Sequence, residues 1–214
     1  MRSARRLVLV GLTLLTVGFA GCATSLSQTE AQTSPPSAVQ HRPEPDVNPA
    51  VQREFSDALR AMKLGHYEEA ERGLLALTRT NPELSGPYAN LGIVYYRLGK
   101  IPEATEALKR ATAINSDRAS YYNQLGIVYR QSGQFGKARE AYDKALQIDP
   151  NYPDAHLNIG ILYDLYLQDV PKALQHYERY LTLRPPSDTQ VSKWIVDLKH
   201  RGQTAGKNNR RDEG

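Results

Sequence analysis

The sequence holds a single cysteine, Cys22, which excludes an internal disulfide framework and leaves one thiol to be explained. It also lacks a long apolar run. The longest, Leu7 to Phe19, is diluted by Thr13, Thr16 and two glycines, and about 20 apolar residues are needed to span a bilayer comfortably. The motifs that carry common catalytic chemistry are missing as well. There is no His-Glu-x-x-His, no phosphate-binding glycine loop and no Gly-x-Ser-x-Gly elbow. The five histidines, His41, His66, His156, His176 and His200, have no ligand-like spacing. Glu68, Glu69 and Glu71 cluster where acidic side chains favour the start of a helix, which explains them without acid–base chemistry. No enzyme activity, cofactor or metal is therefore expected. The formal net charge is +4, of which Arg2, Arg5 and Arg6 supply three, leaving +1 for the rest. What basic excess remains lies in the tail, at Lys199, Arg201, Lys207, Arg210 and Arg211. It is not gathered on one face, so nucleic acid is not expected as a partner.

What is present begins with an export signal. Met1 to Arg6 is a short basic region, the apolar stretch follows, and small residues close it before Cys22. Residues 1–21 read as the signal peptide. Phe19-Ala20-Gly21-Cys22 resembles the lipobox of bacterial lipoproteins. That resemblance implies that Cys22 is diacylated and becomes the mature N-terminus. Ala23, rather than Asp, then implies sorting to the outer membrane, facing the periplasm. Several acyl chains on one residue give stable anchoring, each buried methylene contributing roughly 0.8 kcal/mol. Residues 22–48 are rich in Ser, Thr, Gln and Pro and poor in large apolar groups. They are expected to form a disordered tether, because too little surface can be buried to offset the ordering entropy.

From residue 51 the chain repeats every 34 residues. Leu91-Gly92, Leu125-Gly126 and Ile159-Gly160 are spaced by 34, and Tyr95, Tyr129 and Tyr163 follow each glycine by three. Gly65, Gly99 and Gly133 open turns at the same period, and Ala70, Ala104 and Ala138 come after them. The set resembles the tetratricopeptide repeat, a helix–turn–helix unit. The resemblance implies an all-α superhelix of four units, 51–84, 85–118, 119–152 and 153–187, inside a domain spanning 49–200. A small residue at the eighth position (Ala58, Gly92, Gly126, Gly160) lets the two helices of a unit approach closely. Tyr142 and Tyr177 fill gaps between units, so most tyrosines are core. No unit covers its own apolar face, and stability comes from stacking neighbours.

In the fourth unit Ala173 follows Ala138 by 35 residues, so 165–170 carries one extra residue, read as a lengthened first helix. Ser187 and Gln190 sit at capping-box spacing. They open a capping helix over 188–200, with Trp194 as its main packing residue among Val191, Ile195 and Leu198. Residues 201–214 are expected to be a disordered basic tail.

The family resemblance also implies a concave face lined by the first helices, where a protein or peptide partner sits. Positions 5, 9, 12 and 13 of the repeat bring Phe55 and Asn123, then Leu59, Ile93, Ile127 and Ile161, then Met62, Tyr96, Arg130 and Asp164, then Lys63, Arg97 and Gln131. An apolar floor with Arg97 and Arg130 near its middle suits an amphipathic helix or an extended segment bearing an acidic group. The row at position 9 fits simple packing between first helices equally well, and the arginines have Asp164 or Glu side chains in the stack as alternative partners. Chaperone-binding members clamp a peptide carboxylate with Lys and Asn in their first repeats. Phe55 and Leu59 depart from that pattern, so that ligand is not implied. The expected function is a lipid-anchored periplasmic scaffold for assembly or docking of an envelope complex, similar in architecture to the pilotin lipoproteins of type IV pili. An adaptor recruiting a peptidoglycan hydrolase or an energy-transducing system is the alternative, and homo-oligomers stay open.

Overall fold

A computed structural model describes residues 47–184 and 189–212, with side chains as far as Arg201. The export signal, Cys22, the tether up to residue 46 and the Ser187 half of the capping box lie outside the described residues. So does the Pro185-Pro186 pair. All described residues fall in the compact unit Ala38–Gly214. They form an all-α chain of α1 (Pro49–Leu64), α2 (Tyr67–Thr80), α3 (Ser85–Arg97), α4 (Ile101–Ile114), α5 (Ala119–Gln131), α6 (Phe135–Ile148), α7 (Pro153–Leu165), α8 (Val170–Leu183) and α9 (Thr189–Asp212). Among the described residues no helix is long and apolar enough to cross a membrane.

Local chemistry sets where each helix starts and stops. Pro49 occupies the first turn of α1, and the Asn48 side chain accepts a hydrogen bond from the Ala50 amide at 2.6 Å. The first three units end their first helix in one way. Gly65, Gly99 and Gly133 adopt φ of +81°, +75° and +75°, a region open to glycine at little cost. Each then donates to the carbonyl three residues back, and the next residue donates to the carbonyl five back, as His66 does to Ala61 at 2.9 Å.

The fourth turn differs because no glycine is there. The extra residue does not lengthen α7, which has 13 residues like α3 and α5. It enlarges the turn, where Gln168 takes φ +53° in place of a glycine. The Asp169 amide donates to the Tyr163 carbonyl at 2.9 Å, and the Asp169 side chain accepts from the Lys172 amide at 3.2 Å to start α8.

Each first helix packs on its own second helix, and each second helix on the next first helix. The first helices α1, α3, α5 and α7 also touch one another in turn, whereas among the described residues successive second helices do not. The stack therefore closes on the side of the first helices and fans open on the other, which makes the first-helix side concave. Close approach within units is made at the small positions. Ala70, Ala104, Ala138 and Ala173 are fully buried. A methyl group at Gly92 would meet Leu108 at 2.5 Å, at Gly126 Tyr142 at 2.5 Å, and at Gly160 Tyr177 at 2.7 Å. Tyr142 and Tyr177 lie inside the core, as expected of them.

The last helix packs on α8 and covers the end of the stack. Its buried stripe is Val191, Ile195 and Leu198. Trp194, expected to be the main packing residue, lies at the flank of that stripe, half-exposed and tilted against Tyr177 at 5.7 Å between ring centres. The helix also continues to Asp212, where the sequence reading ends it at 200. Gly202 and Gly206 cost only about 1 kcal/mol each in a helix, and Gln203, Ala205, Lys207, Arg210 and Arg211 between and beyond them are good helix formers.

Candidate functional site

The concave side follows from which helices touch, and the side chains on it can be read off the repeat. At position 9, Leu59 is 37% exposed, and Ile93, Ile127 and Ile161 are half-buried. Ile127 and Ile161 pack inward on the core while keeping part of their surface outside. Packing thus takes up only part of the row's surface and leaves apolar surface outside. Met62 and Tyr96 are likewise half-buried against core clusters. Lys63, Arg97 and Gln131 are exposed, and Arg130 is half-buried. Phe55 leans across to α3, its ring tip 3.3 Å from where a methyl group on Gly86 would sit.

Two expected face residues are held elsewhere. Asn123 is 2% exposed, and its side-chain oxygen accepts a hydrogen bond from Asn158 Nδ2 at 3.1 Å. A buried amide with a partner on the next first helix is a joint between α5 and α7, not a ligand contact. The Asp164 side chain is only 7% exposed. It accepts from the Tyr177 hydroxyl at 3.3 Å and from the Arg201 guanidinium of α9 at 3.1 Å. The capping helix therefore neutralises Asp164, a contact with no trace in the repeat pattern because it comes from outside the repeats. Arg97 and Arg130 belong to none of the ion pairs among the described residues. They stand on the inner face as cations beside an apolar row.

Further along the same side lies a concavity that the sequence did not flag. It has a volume of about 270 Å³ at the N-terminal ends of α1, α3 and α5, with Val51, Phe55, Leu84, Pro87, Arg118 and Tyr121 on its walls. The Arg118 Nε is buried there without a hydrogen-bond partner among the described residues. Leu84 and Arg118 share the last position of their repeats, which is the signal that would have found them.

Away from this face, His156 is 9% exposed and packed between α7 and α8. Its Nδ1 lies 3.0 Å from His176 Nδ1, and its Nε2 is 3.1 Å from the Pro150 carbonyl oxygen. Burial lowers the His156 pKa, and burial together with the neighbouring His156 pushes His176 down to about 4. Both imidazoles are neutral at pH 7, as befits a packed pair. Among the described residues no three His, Cys, Asp or Glu side chains converge on one point.

Comparison with known proteins agrees with this geometry. The TPR repeat family model matches residues 92–133 and 127–165. No curated protein matches the chain. Among solved structures, PilF of Pseudomonas aeruginosa aligns with a TM-score of 0.66 and 22% identity, over 72% of this chain and 70% of that one. A thermophilic TPR protein of Thermus thermophilus aligns with a TM-score of 0.61 and 24% identity, over 69% and 80%. MamA of Desulfovibrio magneticus gives 0.63 and 18%, over 78% and 94%. The fold is thus an all-helical tetratricopeptide-repeat superhelix, the architecture of a protein-binding scaffold.

Proposed function

We propose that this protein is a lipid-anchored docking scaffold of the bacterial envelope, which holds a partner protein on the concave face of its first helices and catalyses no reaction. The observation that carries the reading is the half-exposed row Leu59, Ile93, Ile127 and Ile161, flanked by the unpaired cations Arg97 and Arg130. Buried aliphatic surface gives a partner affinity at roughly 25 cal/mol per Å² before ordering costs, and the two arginines give it orientation and a preference for acidic character. The lipobox-like Cys22 and the export-type segment before it support an anchor on the outer membrane, with the repeats in the periplasm. Assembly of an envelope complex of the pilus or secretin kind is the role that fits an anchor, a tether and a short repeat stack.

Two measurements test the reading. Labelling of cells with radioactive palmitate should mark the full chain and not a Cys22→Ser variant, which should also leave the outer-membrane fraction. Affinity capture from detergent-solubilised envelopes should recover an integral outer-membrane protein with the wild-type chain and lose it with Ile93→Glu. Recovery of a soluble wall hydrolase would replace the assembly role by an adaptor role, and equal recovery with Ile93→Glu would remove the concave face from the account.

A further inference from the structure

We infer that the concave face carries a receptor for one partner carboxylate, formed by the Tyr142 hydroxyl and the Arg130 guanidinium. The inference rests on reading that face as the partner-binding surface and names the group it recognises.

The third and fourth repeats are built alike at this point. Tyr142 of α6 lies across Gly126 of α5, and Tyr177 of α8 lies across Gly160 of α7. In each case ring atoms come within 2.9 Å of where a methyl group on the glycine would sit. With no side chain in the way, each ring lies against its first helix, and the Tyr177 hydroxyl reaches Asp164 in the last turn of α7. Leu74 and Leu108 hold the matching place in the first two repeats, so only the last two carry a hydroxyl there.

In the fourth repeat that hydroxyl is satisfied within the chain. Tyr177 donates to one oxygen of Asp164 at 3.3 Å, and Arg201 donates to the other at 3.1 Å. A hydroxyl and a guanidinium together hold a carboxylate that is 7% exposed. Both carboxylate oxygens have donors, which is what allows the charge to be buried at all.

The third repeat keeps the hydroxyl and lacks the acceptor. The residue 34 before Asp164 is Arg130. A guanidinium has five donors and no lone pair to offer, so donor faces donor. The Tyr142 side chain is fully buried, and its hydroxyl has no hydrogen-bond partner among the described residues. The groups that act on it electrostatically are Arg130, Tyr96 and Tyr166, from the last turns of α5 and α3 and the end of α7. Burial raises the phenol pKa strongly, and the Arg130 cation acts against that rise. Arg130 is half-exposed and holds the repeat position from which Asp164 meets Tyr177 in the next repeat, and a carboxylate that draws it aside reaches the Tyr142 hydroxyl. One Asp or Glu carboxylate from the partner then completes a trio like the one that Tyr177, Asp164 and Arg201 form next door. Leu59, Ile93, Ile127 and Ile161 supply the apolar contacts around it.

The test pans a random dodecapeptide library against the full chain. Peptides whose binding is lost with Ile93→Glu are resynthesised with each Asp or Glu replaced by its amide. The expected result is one shared acidic position whose amide binds about tenfold more weakly. In Tyr142→Phe and in Arg130→Gln that ratio should shrink to less than about twofold. Tyr142→Phe removes only an unpaired hydroxyl and keeps the ring, so the fold is retained in that variant. Groove-dependent peptides without an acidic position, or an acid-to-amide ratio unchanged in Tyr142→Phe, overturn the carboxylate receptor and leave the binding face standing. Peptides indifferent to Ile93→Glu, or no binders at all, overturn the binding face and the receptor with it.

Discussion

Gly126→Ala adds one methyl group inside α5, and the structure shows what that methyl would meet. Three atoms of the Tyr142 ring lie at 2.5, 2.6 and 2.9 Å from its position, against an ordinary contact of about 3.5–4 Å between carbons. The ring is rigid and 0% exposed, so it has no direction in which to yield. Either α5 and α6 separate or the ring leaves its rotamer. Overpacking of this kind costs about 1–3 kcal/mol, and the better helix propensity of alanine returns up to about 1 kcal/mol. A net loss of about 1 kcal/mol corresponds to a fall of roughly 2–4 °C in the midpoint of thermal unfolding. Circular dichroism at 222 nm reads it directly. Two controls make the assignment specific. Gly136→Ala, in the first turn of α6 with no heavy atom within 4 Å of the new methyl, should leave stability unchanged or raise it by about 0.5–1 kcal/mol. Gly126→Ala combined with Tyr142→Ala should be no less stable than Tyr142→Ala alone, since the clash is gone. A Gly126→Ala variant that melts at or above the wild-type temperature refutes the reasoning.

Other expectations follow from the same contacts. Tyr142→Phe should raise stability by about 1 kcal/mol, because a buried hydroxyl without a partner is removed, whereas Tyr177→Phe should lower it by about 1 kcal/mol through loss of its bond to Asp164. Urea denaturation of both distinguishes them, and equal losses would show the Tyr142 hydroxyl to be paired. The depressed His156 and His176 values make the native state bind fewer protons than the unfolded chain below the ordinary histidine value near 6.5. Stability is then full above about pH 6.5 and falls as the pH drops towards about 4, by about 1–2 kcal/mol for the half-exposed His176 after solvent screening. The slope between pH 7 and 4.5 should flatten in His176→Gln, and an unchanged slope would mean that carboxylates alone carry it.

Much of the fold was legible because the repeat imposes the same physical demand at the same place four times. Gly65, Gly99 and Gly133 had to be turns, since nothing else takes a positive φ so readily, and the small residues at 58, 92, 126 and 160 had to be close approaches. What escaped the sequence is what breaks the period. The extra residue of the fourth unit went into the turn, where Gln168 takes the positive φ that a glycine supplies in the other three units. Arg201 reaches Asp164 from a helix outside the repeats, and no spacing rule connects them. Asn123 sits at a position the repeat turns to the concave face, yet Asn158 on the neighbouring helix holds it inside. The missing acceptor at Tyr142 became visible only by comparing one repeat with the next in three dimensions.

The central claim is that the first-helix side, and not the fanned outer side, is the working surface. The most direct measurement is photocrosslinking in the native host from a photoreactive residue placed at Gln131, exposed on the inner face, and at Lys144, exposed on α6 outside. The account predicts a discrete crosslinked partner from position 131 that disappears with Ile93→Glu, and none from position 144. The same partner captured from 144 and not from 131 would contradict it.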